Sequence, residues 1–130
     1  MWVILAMDWK EGLKEVGAHW VFCQYSITHI DGDQEGFALS PAEAAVLGMP
    51  VVSTYHNGIP EHVMDGVTGF LVREYDLESM AERMVRLITS PKLRREMGLK
   101  GREHVVAMCD PKKRMGAIQE LVESKLKYNV

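Results

Sequence analysis

The chain has 130 residues, of which 47% are hydrophobic and 25% are charged, and its formal net charge is −3. Its length and composition are ordinary for a soluble globular protein with a single domain, residues 1–130. Because the net charge is negative, there is no broad positive field, and nucleic acid is not an expected partner.

Location in the cell is indicated by the first residues and by the cysteines. Residues 1–7 are apolar, but the run lacks a basic lead-in and a cleavage site and is too short for a signal peptide or a membrane span. Cys23 and Cys109 lie far apart and belong to no CxxC or Cys/His cluster, which favours two reduced thiols. We therefore expect a cytoplasmic protein without a transmembrane segment.

The first part of the chain contains one convincing strand. Residues 3–7 could be a strand or the end of a buried helix, and Asp8 could cap a helix over about residues 9–16. Residues 20–25 are aromatic and β-branched and predict a buried strand. Residues 26–39 have no periodic pattern, and a connection of that length inside a compact domain tends to be functional.

A helix and a second strand follow this connection. Ser40 is a favourable N-cap, Pro41 suits the first helical position, and Gly48 can end the helix in a left-handed conformation. Pro50 prevents continuation, and the apolar residues 51–54 predict a buried strand. Residues 20–54 are thus a strand–loop–helix–strand unit with an expected right-handed parallel crossover. The amides just before Pro41 lie at the positive end of a helix dipole, which suits phosphate.

The second half of the chain is mostly helical. Residues 55–61 read as a turn, and residues 69–72 as a third short strand. Asp76, Ser90 and Asp110 each precede an amphipathic helix, the second of which runs to about Met108. Helical spacing predicts that the methionines of these helices belong to the core: Met80, Met84, Met97, Met108 and Met115.

These elements predict an α/β fold with a short parallel sheet and a helical C-terminal half. Nucleotide-binding parallel sheets usually carry five or six strands, so we expect the first strands of such a sheet to be missing from this sequence. Two interpretations stay open: the chain is a fragment of a larger domain, or a second copy completes the sheet.

Four motifs occur in order along the chain. Glu35 and Glu43 are separated by seven residues, and Gly48-x-Pro-Val-Val, Gly58-Ile-Pro-Glu and the turn and strand of residues 65–72 follow. Together they resemble the second half of the C-terminal donor-binding domain of family 4 glycosyltransferases, which are retaining enzymes of the GT-B fold. The resemblance implies a partial Rossmann-like, three-layer α/β domain with about three or four parallel strands.

The resemblance also implies roles for individual residues. Glu35, the predicted catalytic residue, would lie beside the transferred sugar and bind its hydroxyls. Glu43 would accept hydrogen bonds from the ribose hydroxyls of the nucleotide. The donor-binding set also includes Gly36, needed mainly for its backbone conformation, and the main-chain amides of Phe37, Ala38, Leu39 and Ser40. No metal and no cofactor is implied, because amides and basic side chains stabilise the leaving diphosphate.

Simpler interpretations of the same residues stay open. Ser40 and Glu43 also fit a capping box, in which Glu43 bonds back to the Ser40 amide, and Glu35 could be a solvated loop carboxylate. Asp31-Gly32-Asp33 has the form of a metal-binding Asp-x-Asp and of the start of a calcium loop. The calcium interpretation lacks the glutamate required at position twelve, where Ala42 stands, and the Asp-x-Asp interpretation requires a different fold.

The function predicted from the sequence is nucleotide-sugar binding within a retaining hexosyltransferase of polysaccharide or glycoconjugate biosynthesis. The acceptor-binding N-terminal domain and an early Arg and Lys of such enzymes have no counterpart in the sequence, so we expect the isolated chain to be inactive. The alternative is a ligand-free α/β fragment that associates with itself or a companion chain through its sheet edge. A dinucleotide-binding domain is disfavoured, since no GxGxxG follows a strand.

Overall fold

The computed structural model describes residues 20–28 and 39–128. The predicted elements within residues 3–16 and the Asp31-Gly32-Asp33 motif lie outside these ranges. The described elements, in chain order, are β1 (Phe22–Gln24), α1 (Leu39–Val46), β2 (Val51–Thr54), α2 (Ile59–His62), β3 (Gly69–Val72), α3 (Leu77–Thr89), α4 (Pro91–Met108) and α5 (Pro111–Tyr128).

The three described strands form a parallel sheet in the order β1-β2-β3. Phe22 pairs with Val51, and Val51 pairs in turn with Gly69, so all three strands start at one level. Strands are present at all three predicted places within the described residues, but β1 is shorter than the aromatic run that predicted it. The predicted burial of β1 is wrong, because Cys23 is exposed and its two neighbours are only half-buried. Strands β2 and β3 are fully buried, and neither alternates between apolar and polar residues. The two polar residues that end β2, Ser53 and Thr54, are buried with hydroxyls that donate to backbone carbonyl oxygens of the β1 segment.

Helices cover both faces of the sheet. One face of the sheet packs against the regions of α1 and α2. This core cluster consists of Phe22, Val51 and Leu71 from the strands, Ala44 and Met49 from the α1 region, and Ile59 and Val63 from the α2 region. The opposite face packs against α3 and α4. This second core cluster consists of Val52, Phe70 and Val72 from the strands, Met80 and Leu87 from α3, and Met97 from α4. The predicted three-layer α/β architecture is therefore confirmed.

Helix α1 ends in a Schellman motif, as the glycine in the sequence predicts. Gly48 has a positive φ of 80°, and its amide donates to the Ala45 carbonyl oxygen at 2.9 Å. The Met49 amide donates to the Ala44 carbonyl oxygen at 3.1 Å, and both of these side chains belong to the same core cluster. This turn delivers the chain directly to the start of β2, which places the opposite end of α1 at the carboxyl edge of the sheet.

The start of α1 differs from the prediction. The helix begins at Leu39, so Ser40 is its second residue, and the prediction that Ser40 is the N-cap is wrong. Pro41 is accommodated because the first four amides of a helix have no intrahelical partner, and its missing N–H costs nothing there. Without Ser40 as N-cap, the capping box with Glu43 does not form.

The predicted caps of α3 and α4 are confirmed. The Ser79 amide donates to Asp76 Oδ1 at 3.0 Å, and the Leu93 amide donates to Ser90 Oγ at 3.3 Å. Residues 55–61 are not a turn throughout, because Ile59–His62 form the short helix α2, whose first turn accepts Pro60.

Helix α5 departs from the predicted core. Met115 is 64% exposed, so its predicted core position is wrong. Four further apolar side chains of α5 are exposed with it: Ile118, Leu121, Val122 and Leu126. Within the described part of the chain, no helix has the length and apolar character needed to cross a membrane.

Candidate functional site

The predicted site residues divide into two groups. Glu35, Gly36, Phe37 and Ala38 lie outside the described residues. Leu39, Ser40 and Glu43 lie in the first two turns of α1, and all three are exposed. The structure therefore places one of the two predicted carboxylates, Glu43, at the N-terminal end of α1, and the roles of both carboxylates stay predictions.

Glu43 shares one face of α1 with the start of the helix. It follows Ser40 by three positions and Leu39 by four, and side chains at these spacings are neighbours on a helix surface. The intervening Pro41 and Ala42 are buried. Ala42 and Ala45 pack against Val105 of α4, and this contact fixes the buried face of α1. Glu43 lies on the other face of the helix, where its carboxylate is exposed.

This end of α1 borders the carboxyl ends of the parallel strands. The helix has eight residues, and its first amides have no intrahelical partner, so they carry the positive end of the helix dipole. Parallel α/β sheets bind ligands in the crevice outside this edge. Orphan amides and one exposed carboxylate can together bind an anionic group and hydroxyl groups.

A second polar cluster lies at the same edge, and the sequence did not predict it. The Thr28 amide donates to Glu74 Oε2 at 2.9 Å, and the Thr28 hydroxyl donates to Glu74 Oε1 at 3.0 Å. His56 Nδ1 lies 2.9 Å from the same Oε1. The three residues follow three different strands, and no sequence motif connects them.

The electrostatics of this cluster are set by its hydrogen bonds. The Thr28 amide and His56 lower the pKa of Glu74, and the Thr28 hydroxyl contributes in the same direction. Because an ionised carboxylate only accepts, His56 Nδ1 carries the proton in this contact. The His56 side chain is only 3% exposed and that of Glu74 is 21% exposed, so the pair lies at the border of the core.

Two further contacts connect the segments after the strands. The Thr54 hydroxyl donates to the Ser26 carbonyl oxygen at 2.6 Å and accepts from the Ser26 amide at 3.2 Å. The Tyr75 amide donates to the Tyr25 hydroxyl at 2.9 Å. The exit of β1 is therefore bonded to the exits of both other strands.

The described residues offer no cluster of side chains suited to a metal ion. Residues 20–28 and 39–128 contain no group of three or more histidine, cysteine, aspartate or glutamate side chains that could hold a metal ion. The predicted absence of a metal remains a prediction, since Asp31, Asp33 and Glu35 lie outside these ranges.

Comparison with known proteins identifies the family. Residues 3–104 match the family model described as Glycosyl transferases group 1. The chain belongs to this family. The match extends over most of the sequence and includes both α1 and the polar cluster at the carboxyl edge.

Curated relatives of this glycosyltransferase chain are much longer than the chain itself. The protein WcaL of Salmonella typhimurium is 50% identical over 64 residues, which is 49% of this chain and 16% of WcaL. The amylovoran biosynthesis glycosyltransferase AmsK of Erwinia amylovora is 42% identical over 67 residues, 52% of this chain and 16% of AmsK. The chain thus aligns with about a sixth of the length of these relatives.

Solved glycosyltransferases share its fold. The structure of Anabaena HepE superposes with a TM-score of 0.69 at 22% identity, over 85% of this chain and 29% of HepE. Sucrose-phosphate synthase from Thermosynechococcus elongatus gives a TM-score of 0.66 at 25% identity, over 85% of this chain and 27% of that protein. The chain matches the C-terminal part of GT-B enzymes, which confirms the predicted fold class.

Proposed function

We propose that this chain binds a nucleoside-diphosphate sugar as the donor-binding part of a retaining hexosyltransferase. The observation that carries the proposal is the position of Glu43: an exposed carboxylate beside the N-terminal end of α1, at the carboxyl edge of a parallel sheet, in a chain of the glycosyltransferase group 1 family. The Glu43 carboxylate can accept hydrogen bonds from hydroxyl groups, and the amides at the start of α1 can donate to an anion on the same face of the helix.

Glu43 is proposed to bind the ribose of the nucleotide. Two vicinal hydroxyls can donate to one carboxylate through charge-assisted hydrogen bonds, which are stronger than bonds between neutral groups. The amides of Leu39 and Ser40, at the start of α1, are proposed to bind the diphosphate, where the helix dipole favours negative charge.

The remaining site residues are proposed from the resemblance alone. Glu35 would contact the transferred sugar, Gly36 would shape the backbone, and the amides of Phe37 and Ala38 would face the sugar and the diphosphate. We propose that amides and basic side chains stabilise the leaving diphosphate, without a metal or another cofactor.

The names of related proteins support a role in polysaccharide or glycoconjugate biosynthesis. AmsK is a glycosyltransferase of amylovoran biosynthesis, and the HepE structure contains UDP-glucose. A nucleotide-sugar donor and a bacterial polysaccharide product are the substrate and product classes that these relatives suggest for our chain.

Calorimetric titration with UDP, GDP and UDP-glucose tests the proposal. We expect the wild-type chain to bind one nucleotide class, and Glu43→Gln to weaken that binding about tenfold, since charge-assisted bonds become neutral ones. Glu82→Gln is the matched control, because Glu82 is also an exposed helical glutamate and lies on α3. No binding to any of the three compounds, or equal affinity in Glu43→Gln, would overturn the proposal.

Sugar transfer is proposed to require more than this chain. The chain aligns with about a sixth of its curated relatives, and catalysis needs donor and acceptor held together. The purified chain should therefore bind donor without transferring sugar. Transfer that the wild-type chain catalyses and that Glu35→Gln abolishes would contradict this part of the proposal.

The second candidate function is association with another copy or a companion chain. The exposed apolar side chains of α5 favour it, because a row of such side chains is typical of contact surfaces. Sedimentation velocity over a range of concentrations should show association that Ile118→Lys weakens. The control is Ala117→Lys, which adds the same charge at the preceding exposed position. A monomer at every concentration would exclude association with another copy.

A further inference from the structure

The Glu74 carboxylate connects two strands that are not neighbours in the sheet. Strand β2 lies between β1 and β3, yet Glu74, two residues after β3, accepts two hydrogen bonds from Thr28, four residues after β1. His56, two residues after β2, contacts the same carboxylate at 2.9 Å. One side chain thus holds the exits of all three described strands together.

The chemistry of the contact makes it specific. Glu74 receives donors from a backbone amide, a hydroxyl and an imidazole, and each of these bonds is assisted by the charge of the carboxylate. His56 is buried, so its Nδ1 has little access to water in place of Glu74. Removing the carboxylate therefore leaves two donors on Thr28 and one on a buried ring without their acceptor.

We propose that Thr28, His56 and Glu74 form a positioning clamp for the donor site, with His56 and Glu74 as positioning residues. The clamp fixes the segment after β1 against the carboxyl edge of the sheet, and the N-terminal end of α1 borders that edge. Donor binding at α1 then depends on the clamp, although none of its three side chains contacts the donor.

This inference rests on the proposed function, because it assigns the clamp an effect on donor affinity. Its geometric part is independent of any ligand. The Thr28 amide is held by Glu74, so its hydrogen exchange reports on the clamp whether or not a nucleotide binds.

The variants are chosen to separate the clamp from general stability. Glu74→Gln replaces Oε1 or Oε2 with an NH2 group that cannot accept from Thr28. His56→Phe retains a ring without a donor, whereas His56→Asn retains a donor close to the position of Nδ1. Glu82→Gln is the control for loss of an exposed glutamate, and thermal unfolding verifies that each variant is folded.

The experiment measures Thr28 amide exchange by NMR and nucleotide affinity by calorimetry in the same variants. We expect Glu74→Gln and His56→Phe to accelerate exchange and to weaken binding about tenfold, with recovery of both in His56→Asn and no change in Glu82→Gln. Because Glu74 is partly exposed, Glu74→Gln remains informative if His56→Phe does not fold.

Two results would each overturn a part of the inference, and a third would overturn the proposed function instead. Unchanged Thr28 exchange in Glu74→Gln would show that the clamp does not exist in solution. Faster exchange with unchanged affinity would show that the clamp has no effect on the donor site. Failure of the wild-type chain to bind UDP, GDP or UDP-glucose would instead overturn the proposed function, while Thr28 exchange would still decide whether the clamp exists.

Discussion

A Cβ atom added to Gly98 would collide with the carbonyl oxygen of Gly48, so α4 crosses the end of α1 at backbone contact. Gly98 lies inside α4, where alanine normally stabilises a helix relative to glycine. The obstacle here is backbone rather than a flexible side chain, so we expect Gly98→Ala to lower the free energy of unfolding by about 1–3 kcal/mol. Urea denaturation monitored by circular dichroism measures this change.

Gly116 provides the matched control for this substitution. It lies within α5, and a Cβ atom there would have nothing within 4 Å. Gly116→Ala should therefore raise the free energy of unfolding by about 0.5–1 kcal/mol. Stabilisation by both substitutions would show that the crossing of α4 and α1 is looser than described.

The Thr54 hydroxyl gives the second prediction. It is fully buried and bonds to both the carbonyl oxygen and the amide of Ser26. Thr54→Val keeps the shape but leaves these two backbone groups unpaired, which should lower the free energy of unfolding by about 1–3 kcal/mol. Thr54→Ser keeps the hydroxyl and should cost less, so a larger loss in the serine variant would contradict this account.

The third prediction concerns the junction of α3 and α4. Ser90 Oγ accepts from the Leu93 amide at the start of α4. Ser90→Ala should lower the free energy of unfolding by about 1 kcal/mol, and Ser90→Asp should retain the stability, because aspartate is an equally good N-cap. Equal losses in both variants would show that the cap acceptor is not what matters at this position.

Local signals explain which elements could be predicted from the sequence. Strands β2 and β3 are short runs of mainly β-branched and apolar residues between turn residues, and their predicted bounds agree with the structure. The caps at Asp76 and Ser90 are set by neighbouring residues and were also predicted. Helical spacing identified the apolar face of α5, but spacing does not reveal what covers a face, and Met115 proved exposed.

Contacts between distant parts of the chain explain what could not be predicted. Glu74 bonds to Thr28, which lies 46 residues away, and to His56, 18 residues away. Each of these residues follows a strand, where polar residues are common and carry no periodic signal. Only the parallel alignment of the three strands brings them together. Glu43 is predicted as a site residue only because its motif resembles a known family, and its role stays a prediction.

The last prediction concerns His62, which is 1% exposed in the short helix α2. Burial lowers the pKa of His62 below its ordinary value of 6.5; His104 and Arg114 act in the same direction, and Glu61 opposes them. The folded chain therefore holds the ring neutral at a pH where the unfolded chain already binds a proton. The free energy of unfolding therefore has its full value above pH 6.5. It decreases as the pH falls from 6.5 through the lowered pKa of His62 in the folded state.

Chemical denaturation at a series of pH values between about 7.5 and about 5.5 measures this effect. The wild-type chain should lose unfolding free energy steadily over this range. His62→Gln removes the titrating group while retaining polar atoms, so the variant should be less stable at the upper pH but should depend less on pH. If the free energy of unfolding of His62→Gln falls as steeply with pH as that of the wild-type chain, other groups cause the pH dependence. The remaining histidines and carboxylates are unchanged in the variant and would be those groups.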